Sequence, residues 1–143
     1  HGCLESYASS KGILRIARKY LSSYAPQQQI DDRELTIRTL FSEEYKGMEF
    51  VEKTIIEVAS YLTTALVNTI LTVDPDRIVL GGGVSEAGSC LLEPIKHRIG
   101  ESLKRFPERK LEISKAQLGN KAGIIGAAYE VFRKWEDEGH GVM

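Results

Sequence analysis

The sequence predicts a helix-rich α/β domain with a short parallel sheet, in the order α-α-α-β-α-β-α. Three observations carry this reading. A broad apolar stripe at helical spacing runs from Met48 to about Val73. Two short strand-like runs, Arg77–Leu80 and Leu111–Lys115, flank another helical stretch. Strands joined through a helix of that length read as a parallel crossover. The first of these strands ends in three consecutive glycines, Gly81, Gly82 and Gly83.

Taken in order, the first predicted helix runs from about Tyr7 to Tyr24, with Ile13, Ile16, Ala17 and Tyr20 at three- and four-residue steps. Gly12 is expected to weaken its first turns. Pro26 and the glutamines that follow end it in a polar loop. Asp31 and Glu34 have the spacing of a capping box for a second helix, which carries Leu35, Leu40 and Phe41 and stops near Gly47. The third helix places Val51, Ile55, Val58, Ala59, Leu62, Ala65, Leu66, Thr69, Ile70 and Val73 on one stripe, broad enough for burial on more than one side. Asp74-Pro75-Asp76 stops it, because proline disfavours helix in the residue before it. After the glycines a loop extends from Val84 to Leu92, and Pro94 suits the first turn of a helix that runs through Ile95, Ile99 and Leu103 to about Phe106. Leu111, Ile113 and Lys115 alternate as the second strand. Asn120 is a good N-cap for the last helix, where Gly123, Gly126, Ala127 and Ala128 offer small residues for close packing. The tail from Lys134 to Met143 is polar and expected to fray.

Bulk properties exclude several function classes. A chain of 143 residues makes one domain at most, and folding at that size buries about 68–70% of the unfolded surface. Nineteen basic and twenty acidic residues give a net charge of -1, which recruits neither nucleic acid nor an acidic membrane. Lys104, Arg105, Arg109 and Lys110 form a basic cluster with little aromatic interleaving, a solvated face rather than a nucleic-acid surface. His97 and His140 read as surface residues. The apolar stretch Val58–Val73 is interrupted by hydroxyl and amide side chains and is too short and polar to span a bilayer. Two cysteines, Cys3 and Cys90, are too few for a disulfide scaffold, so a cytoplasmic location is expected. The chain opens at His1, with Met48 and Met143 as its methionines, and is expected to be a piece of a longer protein.

The sharpest local signal is DPDRIVLGGGVS, residues Asp74–Ser85. A strand that ends in a glycine triplet lets backbone approach a ligand with no side chain in the way. Amides in such a turn can point at an anion. The same glycines also serve a tight strand-to-loop turn, and no GK[ST] follows to make a Walker A loop.

Three pieces stand in order along the chain: GCLESYAS at Gly2–Ser9, DPDRIVLGGGVSEAG at Asp74–Gly88, and LGNKAGIIGAA ending at Ala128. Together they closely resemble the C-terminal half of the ROK family (repressors, open reading frames and kinases). The resemblance runs from Gly2 to about Trp135. It implies the actin-like ATPase (ribonuclease H-like) fold of sugar kinases, with residues 1–143 forming a single domain, the C-terminal lobe of a two-lobed protein.

The resemblance also implies roles. Gly81, Gly82 and Gly83 match the family's glycine turn along the nucleotide pocket, flanked by Val84 and Ser85, so ATP with Mg²⁺ is the expected cofactor. Glu5 matches a glutamate that holds sugar hydroxyls, a task suited to a carboxylate that accepts two hydrogen bonds; read from its position alone, it is a glutamate favoured by a helix N-terminus. Cys3 matches the last cysteine of the family's zinc motif C-x-C-G-x-x-G-C-L-E, and His1 falls on a variable position. The remaining ligands would precede this chain. One cysteine cannot build a four-coordinate structural site, so structural Zn²⁺ is expected only in a longer parent. Gly119, Gly123 and Gly126 are expected to pack within the same lobe, and Lys121 to be a solvated lysine at the helix start.

The parent implied by these matches is a glucokinase-like hexose kinase. The catalytic aspartate and the phosphate loops would lie in the other half, so no catalytic residue is assigned in this chain and the fragment alone is expected to be inactive. A second reading is the sugar-sensing and dimerising domain of a ROK transcriptional repressor, whose DNA-binding part would lie upstream. A third treats the long helix and the small-residue face as a bare homodimer interface. Expected partners are a hexose, ATP and a second copy of the chain.

Overall fold

The elements follow the predicted order with their boundaries redrawn. In the computed structural model, which describes residues 2–24, 30–31, 34–82, 87–106 and 110–137, they are α1 (Glu5–Ala8), α2 (Ser10–Tyr24), α3 (Ile37–Leu40), α4 (Glu49–Val73), β1 (Arg77–Leu80), α5 (Ser89–Ser102), β2 (Glu112–Lys115), a 3-10 turn (Gly119–Lys121) and α6 (Ala122–Trp135).

The first predicted helix is two helices. Ser9 is extended (φ -75°, ψ 165°), and its Oγ accepts the Gly12 N–H at 3.2 Å. That is an N-cap geometry, and it starts α2 afresh at Ser10. The second predicted helix shrinks to one turn with a different cap. Thr36 Oγ1 accepts the Thr39 N–H at 3.2 Å, and Thr39 Oγ1 accepts the Thr36 N–H at 2.8 Å. Two threonines thus form the reciprocal box that Asp31 and Glu34 were expected to form. Glu34 instead donates its backbone N–H to the Asp31 carbonyl in a turn.

The long helix α4 is the frame. It packs on α2 along one side and on α5 along another. Its buried positions are Phe50, Val51, Thr54, Val58, Ala59, Leu62, Thr63 and Ile70. Thr54 is fully buried because its hydroxyl donates to the Phe50 carbonyl at 2.7 Å, four residues back. Of the predicted stripe, Thr69 and Val73 are exposed, while Ile70 between them is fully buried. Measured by length and composition, all 25 residues of α4 would suffice to cross a membrane, unlike the shorter span read from the sequence. Its buried residues belong instead to the core shared with Ile13 and Ile16 of α2 and Leu91, Ile95 and Ile99 of α5. Each fully buried Val, Leu, Ile or Phe of this core contributes about 1.5–3 kcal/mol by leaving water.

The helix ends at Asp74, which takes up left-handed backbone (φ 51°) and donates its N–H to the Ile70 carbonyl. This is a C-terminal closure that aspartate tolerates better than most side chains. β1 then pairs with β2 in parallel, in the register Ile78 with Ile113 and Leu80 with Lys115. Ile78, Leu80 and Ile113 turn toward the core. Val79 faces out and is 56% exposed.

Four further boundaries differ from expectation. Pro94 is the sixth residue of α5, not part of its first turn, because the helix begins at Ser89 directly after Gly88 (φ 61°). The same helix ends at Ser102, short of Phe106. The last helix is preceded by the 3-10 turn rather than capped at Asn120; Lys121 holds the cap position and makes no side-chain cap bond. α6 also continues past Lys134 to Trp135.

Candidate functional site

Glu5 opens α1 and is exposed, as a residue that meets a dissolved ligand must be. A one-turn helix is not stable by itself, and three contacts fix this one. Gly12 of α2 lies against it so closely that a Cβ there would come within 2.7 Å of the Ser6 carbonyl oxygen. Arg15 of α2 donates to the same Ser6 oxygen at 2.9 Å, and its guanidinium lies 5.6 Å from the centre of the Tyr7 ring. Tyr7 in turn packs on Tyr61 of α4, ring centres 4.5 Å apart. Glu5, Ser6, Lys11 and Arg15, with Cys3 at the rim, line an open groove. The groove presents a carboxylate beside cationic and hydroxyl donors, a set able to hold a polyol from several directions.

Behind this wall Glu57 of α4 gathers three partners. It accepts from Tyr20 at 2.5 Å, Lys19 at 3.3 Å and Tyr61 at 3.3 Å. Burial pushes the Glu57 carboxyl up, but the hydrogen bonds from Tyr20, Lys19 and Tyr61 and the Lys19 charge outweigh it and hold it below the usual carboxylate range. The Tyr20 hydroxyl is pushed up to about 12, chiefly because it donates to Glu57 and also through burial and the Glu57 charge. Tyr61 is raised as well, by burial and by Glu57.

The glycine turn leaves the C-terminal end of β1. The parallel ladder runs to its edge, since the Ala116 N–H donates to the Leu80 carbonyl at 2.8 Å. Gly81 faces Ala116, whose Cβ would lie 3.5 Å from a Cβ at Gly81. Gly82 takes up φ 67°, and a Cβ there would meet nothing within 4 Å. The conformation therefore calls for glycine, and no described residue fills the space beside it. Ligands of open α/β sheets bind outside the carboxyl ends of the strands, near the start of the following helix. Gly82 sits at such an end, with α5 next in the chain. Gly83, Val84 and Ser85 lie outside the described residues, as do His1, Arg109 and His140.

Cys3 is exposed, and Cys90 is partly buried on α5. Among the described residues no three His, Cys, Asp or Glu side chains come together as a metal site. Structural zinc does not fit the donors among the described residues. His97 is exposed, Lys104 pairs with Glu101 at 2.7 Å, and Lys121 is exposed at the start of α6. The expected packing of Gly123 and Gly126 is not seen among the described residues: a Cβ at either would meet nothing there within 4 Å, and no residue of α6 is buried.

Sequence reading missed Gly12, Arg15 and Tyr61 as supports of Glu5. Gly12 was the available signal, since a glycine inside a helical pattern often marks a close approach. Its partner leaves no such mark, because the predicted helix begins at about Tyr7 and Ser6 falls outside it.

With this geometry in hand, the comparisons decide the family. The ROK family model matches residues 1–134. The chain belongs to the ROK family. It is 38% identical over 135 residues to a glucokinase of Halalkalibacterium halodurans, covering 91% of this chain and 41% of that protein. A xylose repressor of Caldicellulosiruptor bescii is 25% identical over 132 residues, covering 87% of this chain and 32% of the repressor. The crystal structure of a ROK family glucokinase from Streptomyces griseus, in complex with glucose and AMPPNP, superposes with a TM-score of 0.77 at 26% identity, covering 90% of this chain and 44% of that one. The ROK chain thus has the actin-like ATPase fold of its sugar-kinase neighbours. It spans less than half the length of the relatives it matches.

Proposed function

We propose that this ROK chain is the C-terminal half of a glucokinase-like enzyme that transfers the γ-phosphate of ATP to a hexose. The observation that carries the reading is the 38% identity to a glucokinase, against 25% to a repressor of the same family. Glu5 accepts hydrogen bonds from sugar hydroxyls, with Arg15 and Gly12 holding the helix that presents it. The positive-φ backbone of Gly82 admits the nucleotide with no side chain in the way, and Gly83, Val84 and Ser85 are the family's matching positions beside it. ATP, arriving with Mg²⁺, supplies the phosphoryl group. The aspartate that takes the hydroxyl proton and the loops that place the γ-phosphate belong to the half this chain does not contain, so the isolated chain binds but does not turn over.

Calorimetric titration tests this reading. The folded chain is expected to bind ATP–Mg²⁺ weakly and to lose that binding in Gly82→Val. A chimera with the upstream half of the Halalkalibacterium halodurans glucokinase joined ahead of residue 1 is expected to phosphorylate glucose. A folded chimera that binds glucose but neither binds ATP nor phosphorylates the sugar would overturn the kinase reading in favour of the sugar-sensing half of a repressor.

A further inference from the structure

Glu57 does not line the groove that holds Glu5, yet named contacts join the two. The Glu57 side chain is 21% exposed. Its Oε2 accepts from Tyr20 and Lys19 of α2, and its Oε1 accepts from the Tyr61 hydroxyl, one turn further along α4. Tyr61 is thus held at both ends. Glu57 takes its hydroxyl, and its ring packs on Tyr7 with the planes tilted by 32°. Tyr7 belongs to α1, two residues after Glu5.

Helix α1 depends on such neighbours, because a single turn does not persist alone. α2 supports it through the Gly12 backbone and through Arg15, which donates to the Ser6 carbonyl. α4 supports it through the Tyr61 ring. The two supports are braced against each other just behind α1. Arg15 and Lys19 stand four residues apart on α2, as Glu57 and Tyr61 do on α4, so each pair shares a helix face. Lys19 and Tyr20 reach Glu57 across the gap. Aromatic pairs have preferred geometries, and hydrogen bonds to a charged oxygen are stronger than neutral ones. The Tyr61 ring is therefore a fixed surface for Tyr7 to rest on.

We propose that Tyr61 and Glu57 are positioning residues of the sugar site: they touch no sugar, and they fix the place of the carboxylate that does. The proposal deepens the reading of Glu5 as the group that holds sugar hydroxyls, and rests on it. Hydrogen bonds to two hydroxyls need the carboxylate at the right distance and angle. A group held by a short helix keeps that geometry only if the residues behind the helix are themselves locked. Removing the Tyr61 ring leaves Tyr7 without its rest and lets α1, with Glu5, settle toward α4. Removing the Glu57 charge frees the Tyr61 hydroxyl and loosens α2 from α4 at the level of α1.

A double-mutant cycle on the two-lobed chimera, read by glucose titration and initial rates, tests the proposal. Tyr61→Leu is expected to weaken glucose binding about tenfold, with KM for ATP unchanged. Tyr61→Phe keeps the ring and Glu57→Gln keeps the shape, so each is expected to weaken it about threefold. In a Glu5→Gln background Tyr61→Leu is expected to cost less than about twofold, because the carboxylate it positioned is gone. The same loss in both backgrounds overturns the proposal, since that marks a general structural role, and so does unchanged glucose affinity in folded Tyr61→Leu. If Tyr61→Leu does not fold, Tyr7→Leu breaks the same contact from α1 and is held to the same outcomes. Glu5→Gln with full affinity overturns the Glu5 reading and the proposal with it. A chimera that binds glucose without phosphorylating it counts against the kinase reading alone, because the cycle needs only binding. The chain by itself supplies a second reading through hydrogen exchange. In Tyr61→Leu the amides of residues 6–9 are expected to exchange roughly fivefold faster or more, measured against those of α5. Equal changes in the two segments, or none, overturn the proposal.

Discussion

Gly12 and Ser6 meet backbone to backbone: a Cβ on Gly12 would lie 2.7 Å from the Ser6 carbonyl oxygen and as close to the Tyr7 carbonyl carbon. The atoms in the way are main chain and cannot swing aside. The contact sets how near α1 comes to α2, and α1 carries Glu5.

Gly12→Ala is therefore expected to destabilise the fold despite alanine's better helix propensity, by about 1–3 kcal/mol as for other overpacked sites. The displaced α1 should also weaken glucose binding. Thermal melting and glucose titration of the same variant measure both effects. A variant as stable as the parent would show that α1 tolerates the shift.

Glu5→Gln probes the site without disturbing the fold. Glu5 is exposed and forms no side-chain hydrogen bond within the described structure that would hold α1. Stability should stay within about 0.5 kcal/mol. Glucose affinity of the folded chain or the chimera should fall about tenfold, the scale of one charge-assisted hydrogen bond. Unchanged affinity would remove Glu5 from the sugar site.

Gly82→Val meets backbone strain before it meets any ligand. A β-branched residue at φ 67° costs about 1–3 kcal/mol. Gly82→Ala pays less strain and adds one methyl group toward the open side. If the turn is the nucleotide wall, both variants lose ATP binding while the chain remains folded by circular dichroism. Retained binding in Gly82→Ala would place the nucleotide elsewhere.

The Glu57 cluster predicts a two-sided pH dependence. The Glu57 carboxyl is held below its ordinary value, so its contribution is present at neutral pH and lost as pH falls through the depressed folded value. Tyr20 is raised to about 12, so its contribution is complete below its ordinary value near 10 and lost as pH rises toward 12. Glu57→Gln should cost about 1–2 kcal/mol at pH 7 and flatten the acid limb of a denaturation series. Tyr20→Phe should flatten the alkaline limb. Limbs of unchanged slope would show that other groups govern them.

The sequence by itself determined the element order, the long helix α4, the position of β1 and the glycine turn that follows it. It could do so because each is a local matter: helical periodicity, a β-branched run, a proline that stops a helix, and a run of glycines after a strand, one of which takes up positive φ. It also determined the family, since three short motifs in a fixed order over one chain leave few alternatives. Only the tertiary structure decided the rest. Ser9 divides the first helix because its hydroxyl caps α2 while α1 is pressed onto Gly12 and Tyr61, and a contact across 54 residues, Tyr7 to Tyr61, leaves no periodic trace. Thr36 outcompetes Asp31 as a cap because a reciprocal pair of threonines satisfies two backbone donors at once. Gly123 and Gly126 of α6 promised close packing, yet no described residue lies against them, and the large apolar side chains on the opposite face are exposed. Periodicity tells which side of a helix is apolar; whether anything lies against that side depends on the rest of the protein.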